Sequence, residues 1–432
     1  MSAETSYNQE ILKTRYVDPV QNAVIKTNVL RNKIKFDSES KTGLEYTGAI
    51  MLRRPQGFTF AGGARRNTPF ALNGAIAGTT KQITVTPYET ILEEDIAYGF
   101  AASLQGEESA FNPELALIFE SMVESHDQMY ELNLLYGGTH IGVGNTSTGA
   151  SPNGIHQISK ASWSPHIWGP LEGIPLDAYS DSALTTKVTN GGFAVLTSVD
   201  SDLRTIAVTY ATGADYTAAN AAATGAGLYF TLPGAVGNVG LGVQPLITVS
   251  AAGGTVFGVN SSNYAYLRAT SATISGSLTF TKIAQAATGP ATKGGMGDLD
   301  VLLNVYSWTD VMNEQAALRQ YVDENGGTFE NGADELVYHG PNGGRLTVQC
   351  DPMLKSSEGL ILGFDDWRSV GSTLPTFGIP GAGDDKFLMQ LPRNAGFGVR
   401  RYSQTGTYCR RLARQCLMTG IVNLSGPPGA GT

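Results

Sequence analysis

Charge is what this sequence has least of. Only 16% of its 432 residues are Asp, Glu, Lys or Arg, against about 25% in an ordinary soluble domain. Cysteine is scarce too: the three are Cys350, Cys409 and Cys416. None forms a C-x-x-C pair and none has a histidine at ligand spacing, which excludes a zinc knuckle and a disulfide framework. Buried, reduced thiols in a protein made in a cytoplasm are expected. The five histidines include no H-E-x-x-H pattern, so a metal site is not expected. No apolar run is long enough to cross a bilayer, and Met1 to Asn32 lacks a secretory h-region. A soluble protein with no membrane partner follows as the expectation. Catalytic spacing is missing as well. The adjacent acids Asp365-Asp366 and Glu93-Glu94-Asp95 point apart along a chain, whereas acid–base catalysis needs two carboxylates across a cleft. The Gly- and Pro-rich stretch from Gly426 lacks the lysine of a phosphate-binding loop. No catalytic residue, cofactor or metal ligand is therefore assigned. The net charge of −9 leaves no overall basic footprint for tight nucleic-acid binding.

What is present is a sequence of contrasting segments, long enough for two or three cores. Residues 1–47 are polar with scattered apolar positions and read as an extended arm with one or two short helices. Residues 48–90 read as a long two-stranded excursion: Ala49 to Leu52 and Ile83 to Thr86 are strand-like, and a Gly-, Ala- and Arg-rich tip lies between. Such a ribbon is marginal alone and needs a partner surface. Residues 91–170 contain the clearest helix, at 112–136. Asn112 caps it, Pro113 suits its first turn, and Leu115, Ile118, Phe119, Met122, Val123, His126, Met129 and Tyr130 fall on one face. It would run roughly 36 Å at 1.5 Å per residue. His126 lies on the apolar face and is expected as a hydrogen-bonded core residue. From Thr205 to Thr281 the only charged residues are Asp215 and Arg268. Alternating stretches there, among them Leu246 to Val249 and Leu278 to Phe280, predict an inserted all-β sandwich or barrel at 171–287. Residues 288–385 return to mixed α/β character, with a strand at Val301 to Asn304 and a helix opening on Ser307 and Asp310. Residues 386–432 are a closing β-rich segment and tail.

The order of parts resembles the Hong Kong 97-type capsid fold of tailed bacteriophages. Two stretches carry the resemblance most: Val301 to Asn304 with the helix after it and Asp323 to Phe329, and Gly344 to Pro352 followed by Gly359 to Trp367. The resemblance implies an α+β fold with an N-terminal arm, a β-hairpin E-loop, a spine helix, and peripheral and axial domains. The low-charge segment is similar to the immunoglobulin-like domains inserted in some members. A structural role inside the shell is expected for it, because it lacks the aromatic residues of a sugar-stacking face. The implied function is that of a major capsid protein, self-assembling into pentamers and hexamers of an icosahedral shell around double-stranded DNA, in the virion after assembly in the host bacterial cytoplasm. Some members carry a built-in assembly segment ahead of the arm. This chain has only 47 residues before the ribbon, so the resemblance implies a separate scaffolding protein, beside a portal and a decoration protein. An encapsulin-type compartment shell and a β-rich surface adhesin are the alternatives.

Two groups of arginines stand out against this acidic chain. Arg53, Arg54, Arg65 and Arg66 lie on the expected E-loop, and no acid occurs between Tyr46 and Tyr88. They are expected to pair with acids of an adjacent subunit, on its spine helix or at Glu93, Glu94 and Asp95. The second group is Arg393, Arg400, Arg401, Arg410, Arg411 and Arg414, with no acid from Leu388 to Thr432. It is weighed as an inner-surface cluster making weak, sequence-blind phosphate contacts, against salt bridges within the subunit or across symmetry axes. Some relatives form a Lys–Asn crosslink; Lys81 lies on the ribbon, but the sequence identifies neither an Asn nor a Glu partner for it.

Overall fold

The computed structural model describes residues 28–37, 45–60, 69–98, 108–293, 297–316, 335–341, 343–378, 388–391 and 395–424. A short helix, Val29–Lys33, leads into strand β1 (Lys35–Asp37). Strands β2 (Tyr46–Arg53) and β3 (Thr79–Val85) form a two-stranded ribbon, and β4 (Tyr88–Ala97) follows. The long helix spans Glu108–Tyr136. It opens four residues ahead of Asn112, so Pro113 sits within it rather than at its start.

Six strands then close a barrel: β5 (Gly142–Thr148), β6 (Asn153–Ile158), β7 (Pro175–Tyr179), β8 (Ala194–Asp200), β9 (Thr205–Tyr210) and β10 (Leu228–Thr231). The barrel thus begins well before residue 171. A helix, Gly213–Thr224, lies between its last two strands, with Thr212 Oγ1 accepting from the Asp215 N–H at its start. The expectation of an all-β unit over 171–287 is therefore corrected. Leu246 to Val249 is not a strand but part of the helix Val243–Ala251. Its β-branched residues favour a strand locally, yet Val243, Leu246, Ile247 and Ser250 are buried at the i, i+3, i+4, i+7 spacing of one helical face, and burial decides. Leu278 to Phe280 is likewise a helix start. Thr279 caps Phe280–Thr292 by accepting from the Lys282 N–H.

The two-residue strands β11 (Thr255–Val256) and β12 (Val259–Asn260) form a small hairpin. Next come β13 (Thr270–Gly276), β14 (Leu299–Leu303), the helix Val305–Ala316, β15 (Glu335–His339), β16 (Arg345–Cys350) and β17 (Gly359–Leu362). The chain closes with β18 (Trp367–Phe377), β19 (Leu388–Gln390), β20 (Gly396–Cys409) and β21 (Cys416–Ile421). A mixed six-stranded sheet runs β13-β21-β17-β14-β16-β15. It takes strands from both sides of the 288–385 segment, because β21 inserts between β13 and β17. In the second sheet β20 pairs with β4, β18 and β19, and β1 adds to β18 in parallel. Ser307 does not cap the helix after β14. Asn304 does so, accepting from the Tyr306 N–H at 3.0 Å, while Ser307 bonds Asn423.

One apolar cluster joins these parts. It includes Leu134 of the long helix, Val208 and Phe230 of the barrel, Ile247, Leu302 of the mixed sheet and Trp367. The barrel therefore shares its core with the rest of the subunit. Cys409 and Cys416 are buried and unpaired, and burial pushes the Cys416 thiol up to about 12.

Candidate functional site

The ribbon is pinned at its base and open beyond it. In β3, Ile83 and Val85 alternate onto one face. With Leu52 of β2 they are buried against Val259, Leu267, Val370 and Tyr408. Beyond Arg53 the two limbs stay joined through Gln56 and Ile76, whose amides and carbonyls exchange bonds of 2.9 Å. Asn73 adds a 2.8 Å bond to the Phe58 carbonyl. Gly57 allows this close approach. Its φ is +131°, and a Cβ there would meet the Ala75 backbone at 3.1 Å. The outer limbs bury little. Phe58 and Phe60 stack on each other with ring centroids 6.5 Å apart, and Phe60 is 92% exposed, with Leu72 and Ile76 also open to solvent. Water-exposed aromatic surface of this kind marks an interaction face. Lys81, opposite Ile50 in the ribbon, is exposed.

Arg53 and Arg54 lie where the ribbon leaves its base, and both are exposed. The Arg53 guanidinium sits 5.6 Å from the Tyr264 ring centre and donates to the Asn263 carbonyl at 3.5 Å. Arg65, Arg66 and Arg393 lie outside the described residues.

The expected acidic acceptors are engaged within the chain. Glu93 on β4 faces Arg400 on β20, whose Nε and Nη2 donate to Glu93 Oε1 at 2.8 and 2.6 Å. Both side chains are nearly half exposed, so the pair contributes at most about 1 kcal/mol. Glu94 and Asp95 also have interactions of their own. These acids are thus not a set standing open for a neighbouring ribbon.

The second arginine group does not form one exposed patch. Arg401 is buried and reaches Asp127 at 2.8 Å, the Val123 carbonyl at 2.6 Å and the Pro375 carbonyl at 3.3 Å. Arg31 also pairs with Asp127. Three others converge on the fully buried carboxylate of Asp366: Arg411 at 2.7 Å, Arg414 at 3.0 Å and Arg410 at 3.5 Å. Arg414 is buried, while Arg410 and Arg411 remain substantially exposed. A buried carboxylate requires such partners, and the intrasubunit salt-bridge reading fits them better than a free phosphate-facing cluster.

The sequence reading missed the buried polar group beneath the arm. Glu131 accepts from the Leu30 N–H at 2.6 Å and the Arg31 N–H at 2.8 Å, which clamps the arm helix onto the long helix. Burial, and then the charge of Asp351, pushes Glu131 up to about 8. Burial raises Asp351 to about 6. Nearby, the Tyr136 hydroxyl accepts from the Lys355 N–H at 2.9 Å and the Lys355 ammonium donates to the His140 carbonyl at 2.9 Å. His126 is buried as expected, with Nε2 3.1 Å from Ser403 Oγ. Burial, then Arg401, holds it down at about 4. By spacing Glu131 falls with Glu120, Glu124 and Asp127 on the acidic face of the helix, so the helical pattern gave no signal that the arm would bury it. Among the described residues no group of His, Cys, Asp and Glu is placed to hold a metal ion. No described helix is long and apolar enough to cross a membrane.

No protein-family model matches the chain, and no curated protein matches it. Solved structures do. A chain of the cyanophage A-1(L) capsid asymmetric unit aligns with 95% of this chain and 98% of its own length, at 11% identity and a TM-score of 0.50. A chain of the capsid of an empty GTA particle covers 97% of this chain and 99% of its own, at 9% identity and a TM-score of 0.45. One from Mycobacterium phage Bobi covers 98% and 99%, at 10% identity and a TM-score of 0.44. The cyanophage likeness extends over nearly the whole chain, and this chain has the α+β fold of a phage capsid protein.

Proposed function

We propose that this chain is the major capsid protein of a tailed bacteriophage, a structural subunit that assembles into pentamers and hexamers of an icosahedral shell around double-stranded DNA. The observation that carries the reading is the likeness to a cyanophage capsid chain over 95% of the residues, with a ribbon whose aromatic face has no cover in the single subunit. On this reading β2–β3 is the E-loop, Glu108–Tyr136 the spine helix, the sheet around β20 with that helix the peripheral domain, and the sheet around β14 the axial domain. The barrel acts from within the subunit, since it shares the main apolar cluster. A separate scaffolding protein, a portal and a decoration protein are the further partners, and packaged DNA makes weak nonspecific contacts. The subunit is made in the host cytoplasm and resides in the virion. The encapsulin-type reading shares the shell and differs only in cargo. The adhesin reading leaves the 29-residue helix without a purpose.

Electron microscopy of the purified chain, alone and with a candidate scaffolding protein, tests this. Closed shells, tubes, or rings of five and six subunits are expected. A chain that stays monomeric under every condition would sink the reading.

A further inference from the structure

Two acid-free stretches of this sequence, Tyr46 to Tyr88 and Leu388 to Thr432, lie about three hundred residues apart in the chain and meet in space. A cleft of ≈430 Å³ opens between the base of the ribbon and the turn that joins β20 to β21, and Arg53, Arg54, Lys293, Arg411 and Arg414 line it. An adjoining hollow of ≈360 Å³ shares Arg411 and adds Arg410. The acid beneath them is Asp366, buried and already shared among Arg410, Arg411 and Arg414. Arg410, Arg411 and Arg414 share that one carboxylate, no acid stands in the lining beside Arg53, Arg54 and Lys293, and the cleft keeps a positive excess. A concave wall of low-dielectric protein focuses such a field. The Lys293 ammonium is held in place by the carbonyls of Arg268 and Ala269 at 2.8 Å each and by Thr270 Oγ1 at 3.0 Å.

We propose that this cleft is a socket for a carboxylate-bearing segment of a second copy of this chain. The proposal rests on the shell reading and names a contact through which neighbouring subunits engage. Two observations favour a peptide carboxylate. The first is charge. These two stretches hold 11 of the 29 cations, so the rest of the chain carries 18 cations against 38 acids. Any second copy therefore presents a surplus of carboxylates, and guanidinium groups bind these with directed, charge-assisted hydrogen bonds. The second is the lining. Met51, Leu52 and Tyr266 share the wall with the cations, and Met51 and Tyr266 are more than half exposed. A mixed apolar and cationic wall matches a peptide bearing both kinds of side chain better than a bare sugar-phosphate backbone. The same limb of the ribbon continues from Met51 to the exposed Phe58 and Phe60.

The test uses the full chain. The protein concentration at which it assembles is measured by light scattering and sedimentation velocity for the wild type, for Arg53→Glu/Arg54→Glu and for Arg53→Lys/Arg54→Lys. The Glu pair is expected to raise that concentration at least tenfold with unchanged circular dichroism and melting temperature, and the Lys pair to assemble near the wild-type concentration. Polyglutamate added to the wild type is expected to raise it as well, and a double-stranded oligonucleotide of equal charge is not; this arm decides even if the Glu variant misfolds. Normal assembly of the folded Glu pair overturns the socket while leaving the shell reading intact. Competition by the oligonucleotide but not by polyglutamate overturns it in favour of nucleic acid. A wild type that never assembles, with the scaffolding protein as well as alone, overturns the shell reading itself, and the socket with it.

Discussion

Asp366 shows how much of an apparent surface charge can be structural. Its side chain is fully buried, and three arginines surround it. Replacing one member of a buried ion group leaves the others uncompensated and costs about 3–5 kcal/mol. Asp366→Asn is expected to lower the stability of the subunit by that order, read as the shift of the urea midpoint; a loss below about 1 kcal/mol would show that Arg411 and Arg414 find solvent instead. Glu131 carries a pH signature. Its folded-state value of about 8 lies above the ordinary 4.5, so the folded chain holds the proton more tightly than the unfolded one. The stability this contributes is present below the ordinary range and is lost as pH rises through about 8. Glu131→Gln is expected to flatten that decline between pH 4.5 and 8, in denaturation curves compared with the wild type. An unchanged slope would mean that the two N–H bonds from the arm keep Glu131 ionised. The histidines work in the opposite direction. His126 and His156 are held at about 4, burial being the first cause in both, so the stability they contribute is lost as pH falls below 6.5.

Among the elements, the long helix was legible and the helix Val243–Ala251 was not. In the first, apolar and acidic faces separate cleanly over many turns, so the period speaks for itself. In the second, Leu246 to Val249 carries β-branched residues in a nine-residue helix, too short for the helical period to outweigh local propensity. The ribbon was legible for a different reason: its glycines and its lack of acids announced a segment with little to pack against. Its two halves now separate by role. Ile83 at the base is 2% exposed and Phe60 is 92% exposed. Phe60→Ser should therefore leave the melting temperature within about 1 °C, because an exposed substitution changes stability little, and yet weaken assembly in the scattering assay. Assembly at the wild-type concentration would show that the aromatic face stays in water.

At the scale of the whole molecule, what the sequence could not reveal is which distant segments meet. The acid-free stretches were plain in the sequence; that Arg53 and Arg54 stand across one cleft from Arg411 and Arg414 follows only from the path of the chain. So does the use of Arg400 by Glu93, set by the pairing of β20 with β4. The placing of β21 has a consequence of its own. It lies between β13 and β17, so the mixed sheet is two disconnected pieces until residue 421 has been synthesised. A nascent chain can close its barrel early, whereas β20 and the arginine turn that forms one wall of the cleft come late. Order of synthesis thereby sets the order of completion: the barrel can close first, and the mixed sheet becomes one piece only when its late central strand arrives.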